Sequence, residues 1–298
     1  MRGMADLISV IVSTYNREDA LDAVLRSLSR QTDRQFEVVV ADDGSEAATT
    51  RVVESWSHMP VALKHVRHED RGFRLAEIRN RAILASVGSY CIFLDGDCLV
   101  RADFVAAHRR LAEPGRFVTG NRVQLSAELS RRILDEGLEP ETWRAGRWVA
   151  RRARGDVNRF LPLLQLPLGP LRKRVGRRWQ GAQGCNMALF RSDIERVDGF
   201  DAAFTGWGRE DSDMFVRLIR HGVLRKDGRH ATTVLHLWHP ESDRSKLPAN
   251  QEKLDLLLHS ERVRALQGLS TLREGAGDRL NQGEMRPSPA TAAVRSLQ

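Results

Sequence analysis

The sequence predicts an α/β fold built on a doubly wound, mostly parallel sheet with helices on both faces. Along the first hundred residues, short runs rich in β-branched residues alternate with segments whose apolar residues recur at helical spacing. The runs carry few polar residues, which is the pattern of strands that are buried on both faces. With 298 residues, of which 41% are hydrophobic, the chain has enough apolar material for such a core.

Each element of this half follows from its own pattern. Residues 7–13 are mostly β-branched or leucine, whereas 18–30 carries apolar residues three and four positions apart. Two of the later apolar runs end in turns that contain Asp and Gly. The predicted order is strand 7–13, helix 18–30, strand 36–40, helix 47–56, strand 61–66, helix 75–85 and strand 90–94.

Beyond residue 123 the regular alternation stops. The predicted elements there are a helix at 127–137, a Gly-rich loop that leads into a strand within 181–190, a helix after 206–211, a strand at 232–238 and an amphipathic helix at 251–266. From residue 268 onward Gly, Pro, Ser and Ala dominate without periodicity, which predicts a disordered tail at 268–298.

Three of the predicted strands run directly into polar residues. These clusters are Ser13-Thr14-Tyr15-Asn16, Asp42-Asp43 and Asp95-Gly96-Asp97. A doubly wound sheet binds its ligands at the carboxyl ends of its parallel strands, which lie along one edge. We therefore expect the three clusters to form one site.

The net charge of +8 is concentrated in one segment. Residues 144–178 contain eleven Lys or Arg and a single acid, Asp156, so this window carries +10 and the rest of the chain −2. Such confinement argues against a nucleic-acid-binding protein. Aromatic residues and a leucine cluster accompany the arginines, a composition typical of contact with an anionic membrane surface. A loop that covers a donor or binds an anionic acceptor, and a plain solvated extension, are the alternatives.

Composition also indicates the cellular location of the protein. No uncharged stretch reaches the roughly 18 apolar residues of a membrane-spanning helix, and residues 1–6 leave no room for a signal peptide. The three cysteines, Cys91, Cys98 and Cys185, are odd in number and lack zinc-site spacing. We expect a cytoplasmic protein without a disulfide scaffold or structural zinc, peripheral on the inner face of the cell membrane if 144–178 contacts lipid.

Asp95 and Asp97 indicate a metal site. Two carboxylates separated by Gly96, which permits a tight turn, can grip a hard divalent cation or its water shell. Such a cation can bridge the phosphates of a nucleoside diphosphate and stabilise it as a leaving group. Asp-Gly is also a common turn dipeptide, but the position directly after a buried strand favours the metal.

The neighbouring strand ends suggest contacts with a nucleotide. Asp43 could accept hydrogen bonds from a base or ribose across the crevice, whereas Asp42 either shares this role or only holds the turn. Ser13, Thr14 and Tyr15 offer main-chain and hydroxyl groups to a pyrimidine.

Two arginines lie near the metal turn in the predicted order. Arg79 is on the helix 75–85 and Arg74 directly precedes it. A guanidinium fork suits a diphosphate, so either could bind one. A solvated helix face is the alternative for both.

Six short motifs appear in a consistent order along residues 7–245. They are Val-Ser-Thr-Tyr-Asn-Arg (12–17), Asp-Asp-Gly-Ser (42–45), Ile-Arg-Asn-Arg-Ala (78–82), Asp-Gly-Asp (95–97), Gly-Trp-Gly-Arg-Glu-Asp-Ser-Asp (206–213) and His-Leu-Trp-His (236–239). The first four resemble the nucleotide-sugar half of an inverting family 2 glycosyltransferase with the GT-A fold. The last two resemble the acceptor half of the β-1,4-galactosyltransferases and of bacterial chondroitin-type polymerases. The resemblance implies a nucleotide-sugar-binding half at 1–125, a basic helical insert at 126–180 and an acceptor and catalytic half at 181–267.

The resemblance also implies roles for single residues. Asp97 would bind Mn²⁺ or Mg²⁺ directly, and Asp95 would reach the ribose, or the metal through water. His239 would complete the metal site, with His236 as a further ligand, and Asp211 would be the catalytic base. The other implied contacts are Ser13, Thr14, Tyr15, Arg17, Asp42, Asp43, Arg79 and Gly96 for the donor, and Trp207, Gly208 and Glu210 for the acceptor.

Elementary chemistry bears on two of these roles. Inversion needs a base that takes a proton from the acceptor hydroxyl, a role that Asp211 could fill. Asp211 also opens a predicted helix, where the helix dipole favours an acid for structural reasons alone. His236 and His239 lie three apart on a predicted strand and should face opposite sides. This spacing favours His239 as the ligand unless the strand ends between them.

The sequence therefore predicts a metal-dependent inverting glycosyltransferase. It would move a hexose or N-acetylhexosamine from a nucleotide sugar, UDP-linked in our expectation, to a glycan or lipid-linked acceptor. A sugar-phosphate nucleotidyltransferase is one alternative, although 12–17 lacks the Gly-rich loop with a basic triplet that those enzymes carry. A non-catalytic glycan- or membrane-binding protein on the same scaffold is the other, and the intact Asp95, Asp97, Asp211 and His239 set argues against it.

Overall fold

The computed structural model describes residues 6–274. The strands are β1 (Ile8–Thr14), β2 (Phe36–Asp42), β3 (Leu63–Arg67), β4 (Tyr90–Asp95), β5 (Cys98–Leu99), β6 (Arg116–Thr119), β7 (Arg122–Gln124), β8 (Asn186–Phe190), β9 (Leu224–Asp227) and β10 (Val234–His236). The helices are α1 (Glu18–Ser29), α2 (Ala47–Ser55), α3 (Leu75–Ala85), α4 (Phe104–Leu111), α5 (Ala127–Glu136), α6 (Ala145–Ala153), α7 (Arg191–Arg196), α8 (Glu210–Arg220) and α9 (Leu247–Leu258).

Seven strands form one sheet in the order β3-β2-β1-β4-β8-β6-β9. Its pairings are parallel except where β8 runs against β4 and β6. The remaining three strands form a small sheet in the order β5-β10-β7. The predicted α/β class with a mostly parallel sheet is confirmed.

The apolar runs of the first half are buried on both faces of the large sheet. In β1, Val10 and Val12 belong to the same core layer as Leu21 of α1, whereas Ile11 belongs to the opposite layer together with Ile78 of α3. Successive side chains of a strand point to opposite faces. Helices on both sides of the sheet therefore explain the uninterrupted apolar pattern.

The register of the parallel strands aligns their polar ends. Thr14 pairs with Asp42 on β2, and Ser13 pairs with Asp95 on β4. The carboxyl ends of β1, β2 and β4 thus meet at one edge of the sheet, where doubly wound folds bind ligands.

The second half differs from the predicted elements in its details. The predicted strand 232–238 is reduced to β10. The predicted helix 251–266 is instead α9, which begins at Leu247 with a proline in its first turn and ends at Leu258. Proline suits the first turn of a helix because the amide groups there have no partner within the helix.

The prediction of a disordered tail at 268–298 places the start of the tail too early in the sequence. Residues 268–274 belong to the fold, since Leu269 is 1% exposed and the hydroxyl of Ser270 donates to Asp198 Oδ2 at 2.6 Å. The rest of that prediction, 275–298, lies outside the described residues, as do residues 1–5.

The basic segment 144–178 lies against the main core. It contains α6 and two short 3-10 helices, and it buries Trp148, Val157 and Leu163 in the same layer as α1. Other apolar side chains of the segment stay exposed, Leu161 and Leu171 among them. Within residues 6–274, no helix combines the length and the hydrophobicity needed to cross a membrane.

Candidate active site

The turn after β4 is held tightly against β1. The N–H of Gly96 donates to the carbonyl of Ser13 at 2.7 Å. A Cβ atom at position 96 would lie only 2.7 Å from that same oxygen, so only glycine permits the approach. This contact positions Asp95 and Asp97 at the edge of the sheet where β1 and β2 also end.

Arg79 joins the two halves of the chain. It is 1% exposed, and its guanidinium donates to Asp95 Oδ1 at 2.9 Å and to Ser13 Oγ at 3.2 Å. Its Nη1 atom also lies 3.6 Å from Glu210 Oε1, at the start of α8. One buried guanidinium therefore links the Asp-Gly-Asp turn to the acidic residues of the later motif.

Two polar atoms in this contact lack protein partners. Arg79 Nη1 and Glu210 Oε2 are buried, and no hydrogen bond satisfies either within the part of the chain that the structure describes. Buried polar atoms normally find a partner, so both atoms have unused hydrogen-bonding capacity. The diphosphate contact predicted for Arg79 stays a prediction, since the structure shows a buried guanidinium that is paired with Asp95 and Glu210.

Both histidines lie beside Asp97. His236 Nε2 is 3.5 Å from Asp97 Oδ1, and His239 Nε2 is 3.3 Å from Asp97 Oδ2. The expectation that they face opposite sides is wrong, because β10 ends at His236 and the chain leaves the sheet before His239. Burial lowers the pKa of His236, against the opposing effect of Asp97, so its imidazole stays neutral, the form that binds metal ions.

The chemistry of these donors fits a divalent metal. Ligand atoms of Asp97, Cys98 and His236 all lie within 4.8 Å of one another. Carboxylate oxygen and imidazole nitrogen together suit a transition metal such as Mn²⁺ better than Mg²⁺, which prefers a cage of oxygens. Cys98 was not predicted, because nothing in the sequence shows that β5 pairs with β10.

Asp211 contacts the loop that precedes β8. The N–H of Gly184 donates to its Oδ2 atom at 3.0 Å, while the N–H and hydroxyl of Ser212 donate to its Oδ1 atom at 2.6 and 3.2 Å. Gly184 directly precedes Cys185, whose carbonyl accepts from the N–H of Asp95 at 3.3 Å. The loop 181–185 therefore connects Asp211 to the Asp-Gly-Asp turn.

Glu210 is the buried neighbour of Asp211. Burial, with the adjacent Asp211 and more weakly Asp95, raises the pKa of Glu210 to about 7, while Arg79 opposes the rise. Its side chain is 11% exposed. The acceptor contact predicted for Glu210 stays a prediction, since the structure shows this carboxyl turned toward Arg79.

Two histidines from later in the chain contact the acids at the end of β2. Asp42 has no exposed surface, and it accepts from the N–H of Ser45 at 2.7 Å and contacts His65 Nε2 at 2.9 Å. Asp43 contacts His68 Nε2 at 2.6 Å and accepts from the N–H of Arg74 at 2.8 Å. The geometry thus favours the turn-holding alternative for Asp42 rather than the predicted donor contact. The side chain of Asp43 also supports this loop.

The other predicted donor residues differ in their surroundings. Thr14 accepts the N–H of Asp43 at its carbonyl, and its hydroxyl oxygen is buried without a partner among the described residues. Tyr15 is exposed and its hydroxyl donates to Asp70 Oδ2 at 3.0 Å. Arg17 pairs with Asp19 at 3.3 Å, and within residues 6–274 no ion pair joins it to Asp95 or Asp97.

The residues predicted to contact the acceptor lie in the segment before α8 and at its start. Gly206 and Gly208 both have positive φ, +74° and +100°, which glycine adopts at little cost. Between them, Trp207 lies under the guanidinium of Arg244, 4.9 Å from the ring centre. The carbonyl of Gly208 accepts from Asn250 of α9 at 3.0 Å, so α9 supports this segment.

Arg122, the first residue of β7, is a cation that the sequence analysis missed. Burial lowers its pKa, but Cys185, Cys98, Asp95 and Asp97 together raise it above the usual range. The positive charge of Arg122 therefore lies near Asp95 and Asp97. Only the pairing of β7 with β10 reveals this proximity.

Two family models match the chain. The model described as glycosyl transferase family 2 matches residues 9–194, and the model described as the N-terminal domain of galactosyltransferase matches residues 172–239. The validoxylamine A glucosyltransferase of Streptomyces hygroscopicus subsp. limoneus is 35% identical over 230 residues, 73% of this chain and 49% of that protein. The chondroitin synthase of Escherichia coli is 26% identical over 228 residues, 73% of this chain and 33% of that protein. The chain thus spans half or less of the length of these curated relatives.

Solved structures share the fold at low sequence identity. The S. aureus TarS fragment 1–349 has a TM-score of 0.58 at 16% identity, with 95% of this chain and 76% of that chain covered. The mannosyltransferase PcManGT of Pyrobaculum calidifontis, solved with GDP-Man and Mn²⁺, has a TM-score of 0.55 at 18% identity, with 94% and 84% covered. These likenesses confirm the GT-A-type fold.

Proposed function

The chain belongs to glycosyltransferase family 2, whose model matches more than half of it, and on this premise we propose that it is a metal-dependent, inverting glycosyltransferase. It moves a hexose or an N-acetylhexosamine from a UDP-linked sugar to a hydroxyl of a glycan or a lipid-linked acceptor. The observation that carries the proposal is Arg79, which lies between Asp95 of the donor half and Glu210 of the acceptor half.

Asp211 is the proposed catalytic base. A carboxylate oxygen has two acceptor positions. Oδ1 of Asp211 receives both donors of Ser212, whereas among residues 6–274 Oδ2 receives only the N–H of Gly184. Oδ2 therefore keeps one position for the proton of the acceptor hydroxyl, and the two neighbours hold the carboxylate in place as the hydroxyl attacks the anomeric carbon.

Asp97, His236 and His239 are the residues that would hold the metal. Asp95, two residues before Asp97, forms an ion pair with Arg79. When bound, a divalent ion would stabilise the negative charge of the departing diphosphate. Arg79 pairs with Asp95, and Arg122 lies close enough to Asp95 and Asp97 for these acids to raise its pKa. Both guanidinium groups therefore add positive charge near the Asp-Gly-Asp turn, which favours binding of the diphosphate.

The segment 206–208 is the proposed cover of the acceptor site. Its two glycines with positive φ flank Trp207, so the chain can change conformation there at little steric cost. Trp207 offers an aromatic face to a sugar, and Arg244 now occupies that face.

The choice of donor rests on the relatives. The validoxylamine relative is by its name a glucosyltransferase. The TarS fragment has been solved with UDP and with UDP-GlcNAc. The first name favours a hexose for this chain, and the TarS complexes favour a UDP-linked donor and an N-acetylhexosamine as the other candidate.

The basic segment 144–178 is the proposed contact with an anionic membrane surface, which would place the protein on the cytoplasmic face of the membrane. Val149, Leu161, Leu166 and Leu171 are all between 45% and 59% exposed in a segment with a charge of +10. Exposed apolar groups surrounded by arginines match the headgroup region of such a surface. The burial of Trp148 shows that the segment is anchored to the fold while these groups stay outside.

A donor panel tests the proposed function. The purified chain is incubated with Mn²⁺ and separately with UDP-glucose, UDP-galactose, UDP-N-acetylglucosamine, UDP-N-acetylgalactosamine and GDP-mannose. We expect slow release of nucleoside diphosphate from one UDP-sugar without acceptor, and a loss of this release in the Asp211→Asn variant.

Two other outcomes would contradict the proposal. Release of pyrophosphate from a nucleoside triphosphate and a sugar phosphate would indicate a nucleotidyltransferase. Absence of both donor turnover and Mn²⁺-dependent binding of UDP would indicate a non-catalytic protein.

A further inference from the structure

A cysteine adjoins the acids of the candidate metal site. Cys98 follows Asp97 and begins β5, which runs antiparallel to β10. In that pairing Cys98 lies directly opposite His236. Side chains of directly paired residues project from the same face of a sheet, so the thiol and the imidazole share one face.

The distances fit a common ion. Cys98 Sγ and His236 Nε2 each lie 3.5 Å from Asp97 Oδ1, and the three ligand atoms all lie within 4.8 Å of one another. Bonds of 2.0–2.3 Å at tetrahedral angles place neighbouring ligand atoms about 3.3–3.8 Å apart. The two separations from Asp97 Oδ1 already match this range, and the third, between the thiol and the imidazole, is within 4.8 Å.

We propose that Cys98 is a sulfur ligand of the metal, so that the site takes a borderline ion such as Zn²⁺ or Co²⁺ in preference to Mg²⁺. The inference deepens the proposed function, since it concerns the metal of the same site. Thiolate and imidazole select such ions over hard cations that prefer oxygen. Binding releases the thiol proton to solvent and leaves a sulfur–metal bond.

Cys185 provides a matched control. It is also a free, buried cysteine, and it lies close enough to Cys98 to affect its pKa. Cys98 shares the three-ligand cluster with Asp97 and His236, whereas Cys185 does not belong to it. Serine at either position is close in size to cysteine, so the two variants test which sulfur binds.

Cobalt spectroscopy tests the proposal without an activity assay. The full chain, freed of metal, is titrated with Co²⁺, whose visible d–d bands report binding and whose near-ultraviolet charge-transfer band reports a sulfur ligand. We expect both signals in the wild type and in Cys185→Ser, but only the d–d bands in Cys98→Ser. Competition should show Zn²⁺ displacing Co²⁺ where Mg²⁺ does not, and Cys98→Ser should weaken Zn²⁺ binding by about tenfold or more.

The wild-type spectrum alone can overturn the sulfur ligand, even if a variant fails to fold. Visible bands without a charge-transfer band, or a charge-transfer band that survives Cys98→Ser, would overturn the sulfur ligand and leave the Asp97 and histidine site standing. Absence of any Co²⁺ binding would overturn the sulfur ligand and the metal site of the proposed function together. Failure of the donor panel despite both cobalt bands would count against the glycosyltransferase alone.

Discussion

Replacing Gly184 with alanine should displace the proposed base without changing its chemistry. The added Cβ would lie 2.9 Å from Asp211 Cβ, 3.2 Å from Asp211 Oδ2 and 3.4 Å from Arg79 Nη1. Non-bonded carbons prefer separations of about 3.5–4.0 Å, so the two carbons must move apart by roughly 0.6 Å or more. Gly184 is not among the glycines with positive φ, so alanine adds a steric contact without backbone strain.

The expected cost follows from that displacement. A misplacement of about 1 Å can cost about 10²-fold in rate, so a shift of this size should lower the turnover number by about 10-fold to 100-fold. Donor binding should stay close to wild type, because the added Cβ would make only an ordinary 3.4 Å contact with Arg79 Nη1, and neither Asp97 nor the two histidines are among its three nearest neighbours. Release of UDP at saturating donor measures the first effect, and calorimetry with UDP and Mn²⁺ measures the second.

Two controls sharpen this test. Gly146, in the first turn of α6, has nothing within 4 Å of an added Cβ, so Gly146→Ala should retain wild-type turnover. In an Asp211→Asn background, Gly184→Ala should cause little further loss, because both changes act through one carboxylate. Wild-type turnover in Gly184→Ala, or an equal loss in both backgrounds, would refute the reasoning.

Four further predictions concern the same structure. Asp211→Asn should lower transfer by about 10²-fold or more while UDP binding with Mn²⁺ stays near wild type, and full activity would contradict the assigned base. Asp97→Ala should weaken Mn²⁺-dependent UDP binding, and an unchanged calorimetric affinity would exclude Asp97 as a ligand. Burial, with Asp211 and more weakly Asp95, raises the pKa of Glu210 from 4.5 to about 7 against the opposition of Arg79. The protonated carboxyl therefore stabilises the fold below about pH 4.5, and about 3 kcal/mol of this stability is lost as the pH rises through about 7. The melting temperature of Glu210→Gln should therefore rise relative to that of the wild type between about pH 5 and pH 8. The same pH dependence in both proteins would argue against the raised pKa. The chain should sediment with phosphatidylserine vesicles but not with phosphatidylcholine vesicles, and serine at three exposed leucines of 144–178 should weaken this binding; equal sedimentation of variant and wild type would refute the membrane contact.

The first half of the fold could be predicted because β1, β2 and β4 are six or seven residues long and almost wholly buried. Residues 75–85 were predicted as a helix and form α3 with the same bounds. The strand β1 differs from its prediction by one residue at each end. In such segments the pattern of apolar residues repeats often enough to identify the element.

The second half could not be predicted in the same detail. β5 has two residues and β7 and β10 have three each, too few for any period to appear. These strands exist because they pair with one another across large sequence separations. The bounds of α9 were also not predicted, because its start at Leu247 follows from Pro248 rather than from an apolar stripe.

The sequence by itself determined the parallel sheet, the polar ends of its strands and the acids of the candidate site. Only the tertiary structure decided which groups these acids meet: His65 beside Asp42, His68 beside Asp43, and Arg79 between Asp95 and Glu210. A local period assigns a side chain to a face of its own element, but its partner is set by the packing of distant segments. His236 and His239 show this, because both reach Asp97 only after β10 ends between them.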